Sequence, residues 1–215
     1  MKKVLLASLL SLAGALVAPA HAESTYTAPA ITTSTAAARV DMTVIIPQVL
    51  FLRVGTSSGN TATDSTVDST TFTVPAANVG DASVIAGTGG DLTAGAVTVR
   101  VYGNGGNISL NSATTGALTT GTAGETIPWS QISVAGAALA ATTSGFTNAA
   151  ITHPAFNTGV AGGAGTAATL TATNRLVRVE GKWTYSYLNA NIPAAGTYGG
   201  TAAKNGRVTY TATQL

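Results

Sequence analysis

Apolar and polar residues alternate with a period of two along several stretches of the chain, and this pattern predicts β-strands. The first such stretch covers residues 40–46, where valine, methionine and isoleucine occupy every second position. Pro47 interrupts it, and a second apolar run covers residues 49–54 before Gly55. Because proline has no N–H to donate within a central strand, we predict two strand segments that are kinked at Pro47.

The stretch from Val97 to Leu110 predicts a β-hairpin. Valines alternate with polar residues up to Val101, and Ile108 begins the returning run. The turn between them, residues 103–107, consists of glycine and asparagine, which accept positive φ angles at little cost. Further along, the alanines of residues 135–141 allow a short helix, although the glycine among them weakens this interpretation.

Two further strands are predicted near the C-terminus. Residues 177–187 place Trp183, Tyr185 and Tyr187 on one face, and Gly181 indicates a bulge or a close backbone approach. The final run, residues 208–213, alternates threonine with larger or apolar residues. No stretch keeps a helical period, so the sequence predicts an all-β antiparallel sandwich of about seven to nine strands.

The N-terminus has the three parts of a secretory signal peptide. Lys2 and Lys3 precede an apolar run, and a small-residue cleavage site ends at Ala22. We therefore predict a signal peptide over residues 1–22 and a secreted protein, located in the periplasm, at the outer surface or outside the cell. Residues 23–38 are small, polar and aperiodic, which predicts a flexible leader before a β-sandwich domain at 39–215.

Charge and cysteine content narrow the classes of function. The full chain has 10 basic and 8 acidic residues, and removal of Lys2 and Lys3 leaves eight of each. A formally neutral mature chain gives no electrostatic reason to expect a nucleic-acid partner. The chain has no cysteine, so its stability must come from packing and sheet pairing. Apolar residues make up 45% of the chain, which is enough for a folded core.

The chemical inventory predicts a protein that is not an enzyme and carries no cofactor. His153 is the only histidine after the signal, and no nucleophile motif accompanies it. Asp64 and Asp68 lie in a polar loop, and Asp91 follows a Gly-rich turn. These three carboxylates are either calcium ligands or ordinary turn residues, and the sequence favours turn residues because the spacing is not repeated.

The aromatic stripe of Trp183, Tyr185 and Tyr187 allows two interpretations. If the rings face solvent, they form a platform on which sugars stack, as in a carbohydrate-binding module. If they face inward, they form part of the sandwich core. Only 6% of residues are aromatic, so an exposed platform would leave few rings for the core, and we favour the core.

The C-terminal stretches IPAAGTYGG and RVTYTATQL, which follow KWTYSYLN, resemble the last strands of secreted bacterial Ig-like β-sandwiches. Spore-coat-U-type proteins and chaperone–usher fimbrial subunits end in a similar Pro-Ala-Gly-x-Tyr turn and alternating strand. The resemblance implies an Ig-like fold, a non-enzymatic structural role and a turn anchored by Tyr198. This chain departs from the pattern by lacking the usual cysteine pair and by the insertion at residues 199–206.

These observations predict a secreted structural or surface-interaction protein of the bacterial envelope. Its partners would be protein subunits or cell-surface glycans. One alternative is a fimbrial subunit that assembles by strand exchange, in which residues 40–46 complete a neighbour's sheet. The other is the carbohydrate-binding module. The run at 40–46 is equally compatible with the first strand of a complete domain, which we favour because residues 49–54 follow directly.

Overall fold

The computed structural model describes residues 24–28, 35–59, 61–121 and 124–215. Their regular structure is almost entirely β-strand, with single turns of 3₁₀ helix at Ala76–Asn78, Trp129–Gln131 and Ala202–Lys204. The strands, in chain order, are β1 (Leu50–Val54), β2 (Thr70–Thr71), β3 (Ile85–Ala86), β4 (Thr88–Gly89), β5 (Ala96–Gly103), β6 (Ile108–Thr114), β7 (Leu118–Thr119), β8 (Thr126–Ile127), β9 (Ile132–Ala137), β10 (Thr147–Asn148), β11 (Gly163–Ala164), β12 (Ala168–Leu170), β13 (Val177–Tyr187) and β14 (Val208–Gln214). The predicted all-β class is confirmed.

Two sheets contain most of these strands. The larger sheet is built around β13, which pairs antiparallel with β5 and β3 on one side. On its other side β13 pairs antiparallel with β9 and parallel with β10, while β1 pairs with the far edge of β5. The smaller sheet is built around β6, which pairs with β14 on one side and with β11 and β12 on the other. Two short ladders, β2–β4 and β7–β8, lie outside these sheets.

The main hydrophobic core takes residues from both sheets. The alternating valines of β5 and the larger residues of β13 bury their side chains together with the apolar residues of β6. The buried members are Val97, Val99, Val101, Ile108, Leu110, Ile151, Val177 and Trp183. Each strand contributes every second residue, as a strand with one face toward a core must.

The predicted hairpin at residues 97–110 is wrong. β5 belongs to the larger sheet and β6 to the smaller one, so the two strands are not hydrogen-bonded to each other. The connection at 104–107 carries the chain from one sheet to the other, and Val101 and Ile108 then meet in the same core. The alternation of apolar and polar residues correctly indicated which face of each strand is buried. The same alternation is expected whether the two strands form a hairpin or lie in different sheets.

The predicted strand at residues 40–46 is not formed. These residues have no regular secondary structure and are exposed. The ladder between β1 and β5 stops at Leu50, because the Asn104 side chain binds the preceding backbone instead. Its Oδ1 accepts from the Val49 N–H at 2.8 Å, and its Nδ2 donates to the Pro47 carbonyl at 2.8 Å. Strand pairing therefore begins only after Pro47.

The chain divides into two units, Met1–Ile46 and Pro47–Leu215. The sequence had placed the domain start at residue 39, within the first unit. The predicted signal peptide, residues 1–22, lies outside the described residues. Of the predicted leader, residues 24–28 and 35–38 are described, and they are exposed and have no regular secondary structure.

Residues 149–156, which we call the crossing segment, pass from the larger sheet to the smaller one. At its start the Ala149 N–H donates to the Glu180 carbonyl of β13 at 2.9 Å. At its end the Ser112 hydroxyl of β6 donates to the Ala155 carbonyl at 2.9 Å. Ile151 is buried between these points. The segment brings His153 into contact with both sheets, which its position in the sequence did not reveal.

Candidate functional site

The three aromatic residues singled out on β13 lie on the core side of the strand. Trp183 is completely buried, and its indole N–H donates to the Ile151 carbonyl of the crossing segment at 2.8 Å. Tyr187 is buried in a second, smaller hydrophobic cluster, and Tyr185 packs against the main core. Their rings do not form an exposed platform for stacking on a sugar.

Gly181 lies in the middle of β13 without a bulge in its pairing with β5. A Cβ atom at this position would lie 2.3 Å from the Ala149 carbonyl oxygen and 2.9 Å from that of Ala137. Of the two alternatives that the sequence left open, the structure therefore shows the close backbone approach. Glycine is required here because the neighbouring chain segments lie too near for any side chain.

A short hydrogen-bonded chain joins His153, Tyr210 and Tyr185. The His153 Nε2 atom lies 2.7 Å from the Tyr210 hydroxyl, which lies 2.9 Å from the Tyr185 hydroxyl. Burial lowers the pKa of His153 to about 4 and raises the pKa of Tyr185 to about 12. Burial also raises the pKa of Tyr210. All three groups are therefore neutral at pH 7, and the chain links the crossing segment to β14 and β13.

Aromatic rings surround the imidazole of His153. The ring centroids of Trp183 and Phe156 lie 4.6 and 4.7 Å from it, both in edge-on arrangements. The rings of Tyr210 and Tyr185 lie at 5.4 and 6.1 Å. From the sequence, His153 was notable only as a histidine without an accompanying nucleophile motif. Phe156 is the one of these four neighbours that is close in the sequence, whereas the Tyr210 hydroxyl that binds the imidazole comes from 57 positions away.

A second polar cluster lies on the opposite face of the larger sheet. Arg100 of β5 and Glu180 of β13 are paired in register, and their side chains form a buried ion pair. The loop at residues 139–148 covers this pair, with the Thr143 N–H donating to the carboxylate and the Thr143 hydroxyl accepting from Arg100 at 2.7 Å. The Phe146 ring stacks against the Arg100 guanidinium at 4.7 Å. The sequence analysis missed this cluster.

Tyr198 lies where the chain turns before the last strand. Its hydroxyl donates to the Ala194 carbonyl at 2.9 Å, and the Ala194 N–H donates to the Glu125 carboxylate. Burial and the nearby Glu125 charge raise the pKa of Tyr198. Together with Lys204 these residues line an open cleft of about 480 Å³. The polar groups of Tyr198 and Glu125 hold the loop itself, so the cleft presents few groups to a ligand.

The three aspartates considered for calcium have separate local roles. Asp64 accepts from the Thr66 N–H at 2.8 Å, and hydrogen bonds with Thr66 lower its pKa. Asp68 accepts from the Thr56 hydroxyl at 2.8 Å, and Asp91 pairs with Arg53 at 3.1 Å. In the part of the chain that the structure describes, no group of three or more acidic, histidine or cysteine residues could hold a metal ion.

The first unit carries a conspicuous apolar surface. Five large apolar side chains between residues 40 and 46 are at least three-quarters exposed. They are Val40, Met42, Val44, Ile45 and Ile46. Isolated exposed apolar residues are common, whereas a run of five large ones within seven residues is unusual for the surface of a folded protein.

Two of the longer strands in the second unit, β1 and β14, have a hydrogen-bonded strand partner on one side only. Among the described residues, β1 pairs only with β5, and β14 pairs only with β6. β14 is seven residues long and carries neither a charge nor a proline, the features that commonly block an edge. Side chains alternate along it between half-buried and exposed.

Comparison with protein-family models, with curated proteins and with solved structures finds no match. None of the helical turns in the described ranges is long and apolar enough to cross a membrane.

Proposed function

We propose that this protein is a secreted, non-enzymatic structural or surface-interaction protein of a bacterial envelope, with an Ig-like β-sandwich as its folded domain. The observation that carries the proposal is the exposed apolar run at residues 40–46. Such a run is costly in water unless another molecule covers it. The partner is therefore a protein surface that accepts an extended apolar segment.

The polar groups of the folded unit support a structural role. Glu180 and Asp91 are engaged in ion pairs, and Asp68 binds a neighbouring loop. The His153 imidazole is enclosed by aromatic rings and is hydrogen-bonded to a tyrosine. Each of these groups has a partner that holds the fold, whereas a catalytic group must reach a substrate.

Strand exchange between subunits is the second candidate, and the uncharged edge of β14 favours it. An extended segment adds to a sheet edge through main-chain hydrogen bonds, while alternate side chains enter the core. The period of two at residues 40–46 suits this mode. A fimbrial-like subunit would use the segment of one copy to cover an edge of the next.

The decisive experiment removes the apolar character of the segment without shortening the chain. We expect the Val44→Ser, Ile46→Ser double variant to lose self-association or partner binding while its melting temperature stays unchanged. Val160→Ser is the matched control, because Val160 is 85% exposed and Val44 is 82% exposed. Light scattering after size exclusion and cross-linking on cells measure the association. Equal association of both variants would contradict the proposal.

Secretion is tested separately. Expression of the full chain in a Gram-negative host, followed by fractionation and mass spectrometry of the intact protein, locates the product and its N-terminus. We expect a protein that begins at Glu23 outside the cytoplasm. A cytoplasmic protein that retains Met1 would overturn the proposed location while leaving the interaction test intact.

A further inference from the structure

The His153 chain connects three parts of the fold by side-chain hydrogen bonds, in addition to the bond from the Gln214 Nε2 of β14 to the Val49 carbonyl at 3.0 Å. His153 belongs to the crossing segment, Tyr185 to β13 of the larger sheet and Tyr210 to β14 of the smaller sheet. β14 has a hydrogen-bonded partner on one side only, β6. The two tyrosine hydroxyls are therefore a direct polar link between β14 and the larger sheet.

The direction of the hydrogen bonds depends on the charge of the imidazole. When His153 is neutral with Nε2 unprotonated, the Tyr210 hydroxyl donates to Nε2 and the Tyr185 hydroxyl donates to Tyr210. Protonation turns Nε2 into a donor. Whichever way the Tyr210 hydroxyl then turns, one of the two phenol protons loses its acceptor in this chain. A buried donor without an acceptor costs free energy, so protonation disrupts the link.

Among the described residues, the side chains packed around His153 carry no charge that would stabilise the protonated form. The rings around His153 come from the crossing segment, β13 and β14, and they are Phe156, Trp183, Tyr185 and Tyr210. The titratable groups among these four are the two phenols. Burial raises the pKa of both, so they remain neutral throughout the acid range. The imidazole therefore acquires its charge in a largely apolar enclosure.

We propose that His153 is an acid-sensitive latch that holds the C-terminal strand β14 to the larger sheet and releases it when the imidazole is protonated. The closed latch contains neutral His153. In the open state the imidazole reaches water and takes up a proton near its ordinary pKa of 6.5. Release of β14 would loosen Tyr210 and Ala212, which pack against the main core.

The effect of pH on the latch follows from the pKa of His153 in the closed form and its pKa in the open form. The closed form binds a proton only near pH 4, whereas the open form binds one near pH 6.5. Acidification from 6.5 to 4 therefore favours the open form. Between pH 7.5 and 4.5 we expect the open population to rise roughly 10- to 100-fold.

Hydrogen exchange of the full-length protein tests the latch by comparing the wild type with His153→Phe at the same pH. Phenylalanine keeps an aromatic ring but cannot be protonated. We expect the excess of wild-type over variant exchange at the β14 amides to be larger at pH 4.5 than at pH 7.5. The variant lacks the Nε2 acceptor at both pH values, and only the wild type takes up a proton. The β9 amides serve as the internal control. An excess that is equal at both pH values, or equal in β9 and β14, would overturn the latch.

A titration of the wild-type protein keeps the test independent of how well the variant folds. The imidazole proton resonances are followed by NMR, and the signal missing from His153→Phe identifies this histidine. A midpoint below about 5.5 supports the latch, and a midpoint at or above that value contradicts it.

Discussion

Arg100 and Glu180 face each other across β5 and β13, with nitrogen and oxygen 2.7 Å apart and with 5% and 0% of their side chains exposed. The Arg100 Nε atom also donates to the same carboxylate at 3.0 Å, so the contact is made by two donors. Thr143 completes the cluster from the covering loop. A buried ion pair is costly to dehydrate, but removing one partner costs more, because the other charge is left buried and unpaired.

Replacement of Glu180 by glutamine should therefore destabilise the protein more than a surface substitution does. The variant removes the carboxylate charge that pairs with Arg100, and we expect a loss of about 2–4 kcal/mol in the free energy of unfolding. Urea denaturation measures it. The Arg100→Met, Glu180→Leu double variant should recover most of the loss, because apolar residues of similar size can replace a buried pair. A double variant as unstable as the single one would contradict this account.

The same pair predicts how stability depends on pH. Burial alone would raise the pKa of Glu180, but hydrogen bonds from Thr143 and Arg100 outweigh it and hold the pKa below its ordinary value of 4.5. The unfolded chain then binds the proton at a higher pH than the folded chain. The ionised Glu180 therefore makes its full contribution to the free energy of unfolding above pH 4.5. This contribution is lost as the pH falls through the pKa of Glu180 in the folded protein. The stability difference between wild type and Glu180→Gln should shrink below pH 4.5 and stay constant between pH 6 and 8.

The buried faces of the strands could be predicted from the sequence, but their partners could not. The alternation in the last strand predicted that Val208, Tyr210 and Ala212 share one face, and all three are half-buried in β14, as is Gln214. Alternation fixes a face because successive side chains of a strand point in opposite directions. It does not say which strand pairs with which, and the hairpin predicted for β5 and β6 failed for that reason.

The polar clusters depend on segments distant in the sequence. Arg100 lies in an alternating strand as an expected polar position, and nothing nearby shows that the loop carrying Thr143 will cover it. His153 likewise meets Tyr210 from 57 positions away. The turn at Tyr198 was easier to predict from the sequence, because the interaction that holds it is local. The Tyr198 hydroxyl binds a carbonyl only four residues upstream.

A Tyr198→Phe substitution tests the turn. It removes the hydrogen bond to the Ala194 carbonyl and leaves the ring in place. We expect the loss of this hydrogen bond to lower the melting temperature by roughly 1–6 °C. Tyr102→Phe is the control, because the Tyr102 ring stacks under Arg178 and phenylalanine preserves that contact. If both variants melt at the wild-type temperature, the hydroxyl of Tyr198 contributes nothing to the turn.

Gly181→Ala tests the close approach at the centre of β13. The new methyl group would meet two carbonyl oxygens of the backbone, at 2.3 and 2.9 Å, and backbone cannot move aside as a flexible side chain can. We expect a loss of more than about 2 kcal/mol from overpacking. Gly159→Ala is a suitable comparison, because its new Cβ would meet a side-chain oxygen of Asn157 at 3.1 Å. Thermal unfolding measured by circular dichroism distinguishes them, and equal melting temperatures would show that β13 adjusts to the methyl group.

Trp183 is one of the residues that fix the crossing segment to the larger sheet, and Trp183→Phe should weaken that attachment. The Ile151 carbonyl loses the indole N–H that binds it at 2.8 Å, and the smaller ring leaves a void in the main core. The two effects together predict a loss of about 2–4 kcal/mol in the free energy of unfolding.

The chain has two tryptophans, so the Trp183→Phe variant retains Trp129 as its one indole emitter. Trp129 lies in the second cluster, and its N–H donates to the Gly116 carbonyl at 2.8 Å. Its fluorescence should keep the wavelength of a buried indole in the folded variant, and a red-shifted emission before unfolding would show that the damage extends beyond the main core.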